Sequence, residues 1–113
     1  MEYRRLGGSG LFVSEVGLGG NNFGWFCDEA QSTLVIQHAI ELGVNFVDTA
    51  DMYGETVSEQ HVGKALTGRR HEVIVATKTG IPLGKGANQG GLSYSRVIAA
   101  CEASLRRLNT DYI

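Results

Sequence analysis

The chain has 113 residues, a length that permits one domain, and its 42% hydrophobic and 19% charged residues are typical of a globular protein. Its net charge of −2 and the lack of a basic run interleaved with aromatic residues argue against a nucleic-acid partner. No apolar stretch approaches the roughly 20 residues that span a bilayer, and the N-terminus lacks an apolar signal core, so we expect a cytoplasmic protein that does not bind a membrane.

The N-terminal part of the chain predicts a hairpin, a strand and a helix. Apolar and polar residues around a Gly-rich turn predict a small hairpin within residues 1–15. A short apolar run at 16–19 predicts a strand that ends in glycine. Asp28, followed three residues later by Gln31, is typical of a capping box, so a helix is expected from there to just before Gly43.

The remaining sequence alternates strand and helix twice more. A second strand is predicted at 44–48, and a loop then leads to Ser58 as the N-cap of a short helix. The β-branched run at 72–78 is typical of a strand buried in a parallel sheet. After a Gly-rich loop, Ser93 is the predicted N-cap of a longer helix, and residues 111–113 are predicted to begin a fourth strand.

This alternation favours an α/β fold with a parallel sheet, either doubly wound or a barrel. A dinucleotide-binding turn needs G-x-G-x-x-G leading directly into a helix. Here Asn22 occupies the third glycine position and the helix begins only at Asp28, although Asp48 could imitate the ribose-binding acid, so the doubly wound fold stays a minor alternative. No Ser or Thr follows Lys85, which excludes a P-loop. We predict an incomplete (β/α)₈ TIM barrel, comprising the hairpin, about three βα units and the start of strand 4.

Function in such barrels gathers where the strands end. Asp48 closes the second predicted strand, Lys78 closes the third, and Tyr53 lies in the loop between them. A lysine ammonium beside a phenol stabilises the phenolate, which suits the phenol for donating a proton. Asp48 would keep Lys78 charged and oriented. Cys27 and Cys101 are far apart and match no ligand spacing, so no metal site is predicted.

Several long motifs resemble those of the aldo-keto reductase family, particularly its bacterial members and potassium-channel β-subunit relatives. They are Gly17–Gly19, Gly43–Gly54, Val75–Lys78 and Ser104–Tyr112. The resemblance implies reduction of aldehydes or ketones to alcohols with NADPH, NADH being possible, by hydride transfer from the nicotinamide C4. It also implies a catalytic tetrad of Asp, Tyr, Lys and His, in which Asp48, Tyr53 as proton donor, and Lys78 match three members.

The resemblance also implies where a cofactor and a small carbonyl substrate would bind. Gly20 and Asn21 would approach the nicotinamide, and Asp48 would reach the ribose. Trp25 and Phe26 resemble substrate-pocket aromatics, although packing within their loop is an equal alternative.

The histidine of the tetrad, which in the family ends the fourth strand, is absent from the sequence. His38 and His61 are predicted on the outer helices, and His71 at the opposite end of the sheet, so none is a replacement. Two alternatives to an enzyme remain, a non-catalytic nicotinamide-binding or channel β-subunit-like module and an inactive part of a barrel. Residues 1–113 alone are expected to show no turnover and to aggregate through their open sheet edge.

Overall fold

A computed structural model describes all 113 residues. A hairpin pairs β1 (Tyr3–Arg5) with β2 (Phe12–Ser14) in antiparallel orientation, as predicted. A parallel sheet follows, with β3 (Leu18–Gly19), β4 (Phe46–Asp48) and β5 (Ile74–Ala76) side by side in chain order. Three neighbouring parallel strands in chain order occur in both barrels and doubly wound sheets.

Each strand of the parallel sheet is followed by a helix: α1 (Glu29–Glu41), α2 (Val57–Ala65) and α3 (Tyr94–Leu108). The predicted capping box at Asp28 is present at the start of α1, and the side chain of Ser93 caps α3. No helix has the length and apolar character needed to cross a membrane. These local signals therefore set the beginnings of two of the three helices.

The start of α2 differs from its prediction, because Ser58 lies inside the helix and is not the N-cap. A 3₁₀ turn, Tyr53–Thr56, precedes the helix. Gly54, Glu55 and Thr56 all have positive φ values, of 60°, 54° and 80°. Such conformations are strained for residues other than glycine, and this left-handed segment turns the chain sharply into α2.

The hydrophobic core lies between the helices and one face of the parallel sheet. On that face Val47 and Val75 are neighbours across β4 and β5, and both are buried. Phe46 and Ile74, which point to the opposite face, are only partly buried. The core cluster consists of Phe23, Ile36, Ile40, Val47, Val62, Ala65, Leu66, Val73, Val75 and Leu108. The helices thus form a layer outside the sheet, as the outer ring of a barrel does.

The hairpin is attached to the amino end of the parallel sheet by polar contacts. Asn45, just before β4, accepts a hydrogen bond from the Ser14 backbone N–H and donates its side-chain N–H to Phe12 O. The Tyr3 hydroxyl donates to Gly43 O at 2.8 Å. The hairpin therefore covers the end of the sheet opposite the predicted site.

The strand predictions need correction, because all three parallel strands are shorter than the sequence predicts. The third strand is shorter than the predicted 72–78, and residues 111–113 form no strand. The Arg70 side chain holds this last segment instead, donating to Thr110 Oγ1 at 3.1 Å and to Tyr112 O at 2.8 Å. Its guanidinium also stacks 3.9 Å from the centroid of the Tyr112 ring. A side chain, and not the backbone of β5, positions these residues.

Candidate functional site

An ion pair joins the carboxyl ends of two neighbouring strands. Asp48 ends β4, and Lys78 follows the end of β5 by two residues. The Lys78 Nζ lies 2.6 Å from both carboxylate oxygens of Asp48. Both side chains remain about half exposed, at 49% for Lys78 and 43% for Asp48. The structure therefore brings two of the predicted site residues into direct contact and leaves them accessible from solvent.

Tyr53 is the third member of this cluster. The centroid of its ring lies 5.2 Å from the Lys78 Nζ, within cation–π range. Its hydroxyl has no hydrogen-bond partner in the protein and can therefore bind an external acceptor. The backbone N–H of Tyr53 donates to Ala50 O, which fixes the start of the turn that carries the ring. All three residues proposed to act on a substrate thus lie together, and their predicted catalytic roles stay predictions.

A cleft of about 280 Å³ opens between Tyr53 and Lys78. Most of its wall is apolar, and both Tyr53 and Lys78 border it. The lining residues are Ala50, Asp51, Met52, Tyr53, Lys78, Thr79 and Ile81. Apolar walls with a few convergent polar groups are typical of small-molecule sites.

The loop that carries Tyr53 is fixed to the end of β5 by groups that the sequence did not single out. The Asp51 backbone N–H donates to Lys78 O at 3.0 Å, and the Thr49 N–H donates to Ala76 O at 2.8 Å. The Asp51 carboxylate, almost fully buried, pairs with Arg96 of α3 at 3.2 Å. These contacts fix the position of Tyr53 relative to Lys78.

A second buried acid, Glu59, supports the same strand end through hydrogen bonds. Glu59 of α2 is fully buried. One of its carboxylate oxygens accepts from Thr77 Oγ1 at 2.6 Å, and the other from Arg107 Nε of α3 at 2.6 Å. Thr77 directly precedes Lys78, so this network ties two helices to the strand that positions the lysine. Glu59 was missed because its partners lie 18 and 48 residues away in sequence.

The predicted cofactor residues lie at the same edge. The Gly20 N–H donates to Asp48 O at 2.8 Å, which places the residues after β3 beside the ion pair. A Cβ on Gly20 would lie 3.0 Å from Ser58 Oγ and 3.3 Å from Asp48 O, so the close packing favours glycine. Asn21 is exposed next to it. The structure brings Gly20, Asn21 and Asp48 together, and their binding role stays a prediction.

The two predicted pocket aromatics lie elsewhere on the β3–α1 loop. Trp25 is 47% exposed and Phe26 is 79% exposed. They line a separate cleft of about 450 Å³ beside the start of α1, together with His61 of α2, and not the cleft between Tyr53 and Lys78. Their predicted contact with a substrate stays a prediction.

None of the three histidines lies in the cluster. His38 is exposed and pairs with Glu41, and His71 is exposed at the amino end of the sheet. His61 lies on α2 in the outer helix layer, as predicted, where it is 8% exposed and its Nδ1 lies 3.1 Å from Ser32 Oγ of α1. No group of three or more His, Cys, Asp or Glu side chains could hold a metal ion.

Comparison with known proteins decides the family. The model of the aldo/keto reductase family matches residues 15–113. The chain belongs to the aldo-keto reductase family. It is 43% identical over 115 residues to the uncharacterized oxidoreductase YqkF of Bacillus subtilis, covering 100% of this chain and 37% of that protein. It is 36% identical over 117 residues to a probable voltage-gated potassium channel subunit beta of Oryza sativa, with 100% and 35% covered.

Solved structures confirm the predicted fold class. The holo form of the aldo-keto reductase AKR11C1 from Bacillus halodurans superposes with a TM-score of 0.89 and 43% identity, covering 100% of this chain and 38% of that chain. The chain thus spans under two fifths of the length of these relatives. The hairpin and the three βα units are therefore part of the aldo-keto reductase barrel, and the doubly wound alternative is wrong.

Proposed function

We propose that this aldo-keto reductase sequence encodes the proton-donating part of an NADPH-dependent carbonyl reductase active site. One observation carries the proposal: the Tyr53 hydroxyl is free, and its ring lies beside a lysine that Asp48 holds through both carboxylate oxygens. A cleft of about 280 Å³ adjoins Tyr53 and Lys78. An aldehyde or ketone is the proposed substrate class.

The protein side chains have distinct parts in this proposal. Bound NADPH supplies the hydride that reduces the carbonyl carbon. The Tyr53 hydroxyl donates its proton to the carbonyl oxygen, and the resulting phenolate regains a proton from solvent. Lys78 stabilises the negative charge on the phenolate. Asp48 holds Lys78 in place, and the overall change is carbonyl plus NADPH plus H⁺ to alcohol plus NADP⁺.

The residues after β3 suit the nicotinamide-ribose half of such a cofactor. No protein atom lies within 4 Å of the place where a Cβ on Gly19 would stand, so open space adjoins the strand end. The exposed Asn21 supplies donors, and the half-exposed Asp48 carboxylate supplies an acceptor for a ribose hydroxyl. Preference for NADPH over NADH rests on the family resemblance.

The test uses the protein expressed from its complete reading frame. Oxidation of NADPH, and separately of NADH, is followed with 4-nitrobenzaldehyde as substrate. Lys78→Met should abolish turnover, because Tyr53 loses the neighbouring positive charge. Lys64→Met is the matched control, since Lys64 is exposed in the last turn of α2, and it should keep normal turnover.

Two outcomes would contradict this function. The first is a folded wild-type protein that binds NADPH but does not oxidise it when any carbonyl compound is added. That result would favour the non-catalytic binding module. Equal turnover in Lys78→Met and Lys64→Met would show that Lys78 has no part in the chemistry.

A further inference from the structure

A pair of buried hydroxyls lies beneath the edge of the sheet that carries the site. Ser58 Oγ donates to Gly20 O at 2.8 Å, and Thr49 Oγ1 lies 2.9 Å from Ser58 Oγ. Ser58 and Thr49 are both 0% exposed. A hydroxyl has a single proton, and that of Ser58 goes to Gly20. Thr49 must therefore be the donor to Ser58, so the hydrogen bonds run in one direction, from Thr49 through Ser58 to Gly20.

Gly20 is held from both sides of its backbone. Its N–H donates to Asp48 O at 2.8 Å, and its carbonyl accepts from Ser58 and, at 3.1 Å, from the Phe23 N–H. The packing around its Cα leaves little room for any other residue. The peptide group that follows Gly20 therefore cannot rotate without breaking a buried hydrogen bond.

The orientation of this peptide determines where the next N–H points. The chain has no cis peptide bond, so the Asn21 N–H points away from the carbonyl that Ser58 holds. Asn21 is exposed, and its backbone N–H has no acceptor within the protein. A free donor with a fixed direction thus lies at the edge of the sheet, beside Asp48.

We propose that Ser58 is a positioning residue for cofactor binding, which directs the Asn21 N–H toward a hydrogen-bond acceptor on the nicotinamide cofactor by holding the Gly20 carbonyl. The inference rests on the function proposed above. Ser58 itself is fully buried and touches no ligand. Its effect should therefore appear in the affinity for the cofactor and not in the proton transfer from Tyr53.

The test measures NADPH binding by fluorescence titration and steady-state kinetics in the complete protein. Ser58→Ala should raise the Kd for NADPH about three- to tenfold, the usual effect of losing one hydrogen bond. Its kcat at saturating NADPH should change by less than about twofold. Thr49→Val should have a smaller effect on Kd, because Ser58 can still donate to Gly20.

Ser32→Ala provides the matched control. Ser32 is also a fully buried serine hydroxyl, but it bonds to His61 between α1 and α2 and contacts no strand end. This control should lower the melting temperature much as Ser58→Ala does, with an unchanged Kd. If Ser58→Ala does not fold, Ser58→Cys, which keeps the shape with a weaker donor, should raise the Kd in the same direction.

The outcomes separate this inference from the function on which it rests. A wild-type protein that reduces the aldehyde, with the same Kd in the Ser58 and Ser32 variants, overturns the positioning role alone. A wild-type protein that binds NADPH without turnover overturns the reductase function, while a raised Kd in Ser58→Ala still supports the role of Ser58. No NADPH binding by the wild type overturns both.

Discussion

The two ends of the parallel sheet differ in how their charged groups are used. At the carboxyl end, Tyr53, with its free hydroxyl, and Lys78, which Asp48 holds, line a cleft of only about 280 Å³. At the amino end, a much larger and wide-open cleft of about 790 Å³ lies beside Arg70 and Tyr112. Each of the three guanidinium nitrogens of Arg70 already donates within the protein.

This difference shows that cavity volume does not identify the site. Arg70, which lines the larger cleft, has no nitrogen free of internal hydrogen bonds, and Arg106 lines the same cleft as an exposed side chain. The smaller cleft is lined by Tyr53, whose hydroxyl has no partner, and by the half-exposed Lys78, and buried acids support both residues. Convergent groups that remain available are the stronger indication of function.

The difference between the two ends predicts that Tyr53 is needed for turnover and that a tyrosine at the amino end is not. In the complete protein, Tyr53→Phe should lower kcat for carbonyl reduction by about 10²–10⁴-fold, because the general acid is removed. The Kd for NADPH should hardly change. Tyr112→Phe, which loses a single long hydrogen bond to Arg70 O, is the control and should keep kcat. A loss below tenfold in Tyr53→Phe would mean that another group donates the proton.

Two Glu–Arg ion pairs, one buried and one near the surface, should differ in how much they contribute to the free energy of unfolding. Glu59 is fully buried against Arg107, whereas Glu72 pairs with Arg69 near the surface at the amino end. Glu59→Gln should reduce the free energy of unfolding by about 3–5 kcal/mol, because it leaves a largely buried arginine without its counter-charge. Urea denaturation measures the loss.

Glu72→Gln is the control for this prediction. Water and salt screen an exposed pair, so its urea midpoint should stay close to that of the wild type. Equal shifts in the two variants would show that burial does not distinguish the two ends.

The smallest expected effect concerns pH at the amino end. The side-chain hydrogen bonds from Arg69 hold the pKa of Glu72 below its usual value, with the charge of the arginine adding to the effect. A lowered pKa in the folded state means that the pair stabilises the fold above the ordinary carboxyl pKa and loses this contribution as pH falls through the folded pKa. Arg69→Gln should return the pKa of Glu72 toward its usual value in an NMR titration.

Arg69→Lys provides a graded control for this titration. It keeps the charge but loses the two-pronged contact, so its effect should be intermediate. An unchanged titration in Arg69→Gln would mean that the arginine does not cause the shift.

Local signals in the sequence predicted the parts of this fold that depend on near neighbours. The capping box at Asp28 and the cap at Ser93 satisfy helix N–H groups three residues away, so their sequence context was sufficient. The cluster of Asp48, Tyr53 and Lys78 was also predictable, because parallel strands bring their carboxyl ends to one edge.

The predictions that the structure corrects concern residues whose hydrogen-bond partners are distant in the sequence. These distant contacts override the local structural preference of the residue. Ser58 has the right residue type for an N-cap, but its hydroxyl bonds to Gly20, which is 38 residues away. Residues 111–113 have the composition of a strand, yet Arg70 holds them through contacts that span about 40 positions. None of these partners leaves a periodic pattern in the sequence.

The attachment of the hairpin has a consequence for synthesis of the protein on the ribosome. The residues that fasten β1 and β2 to the sheet, Gly43 and Asn45, lie 31 to 40 positions downstream of their partners. The hairpin leaves the ribosome before these partners, and an isolated two-stranded hairpin is at best marginally stable in water. It therefore gains its lasting position only after α1 and the start of β4 have emerged, although it precedes both in the chain.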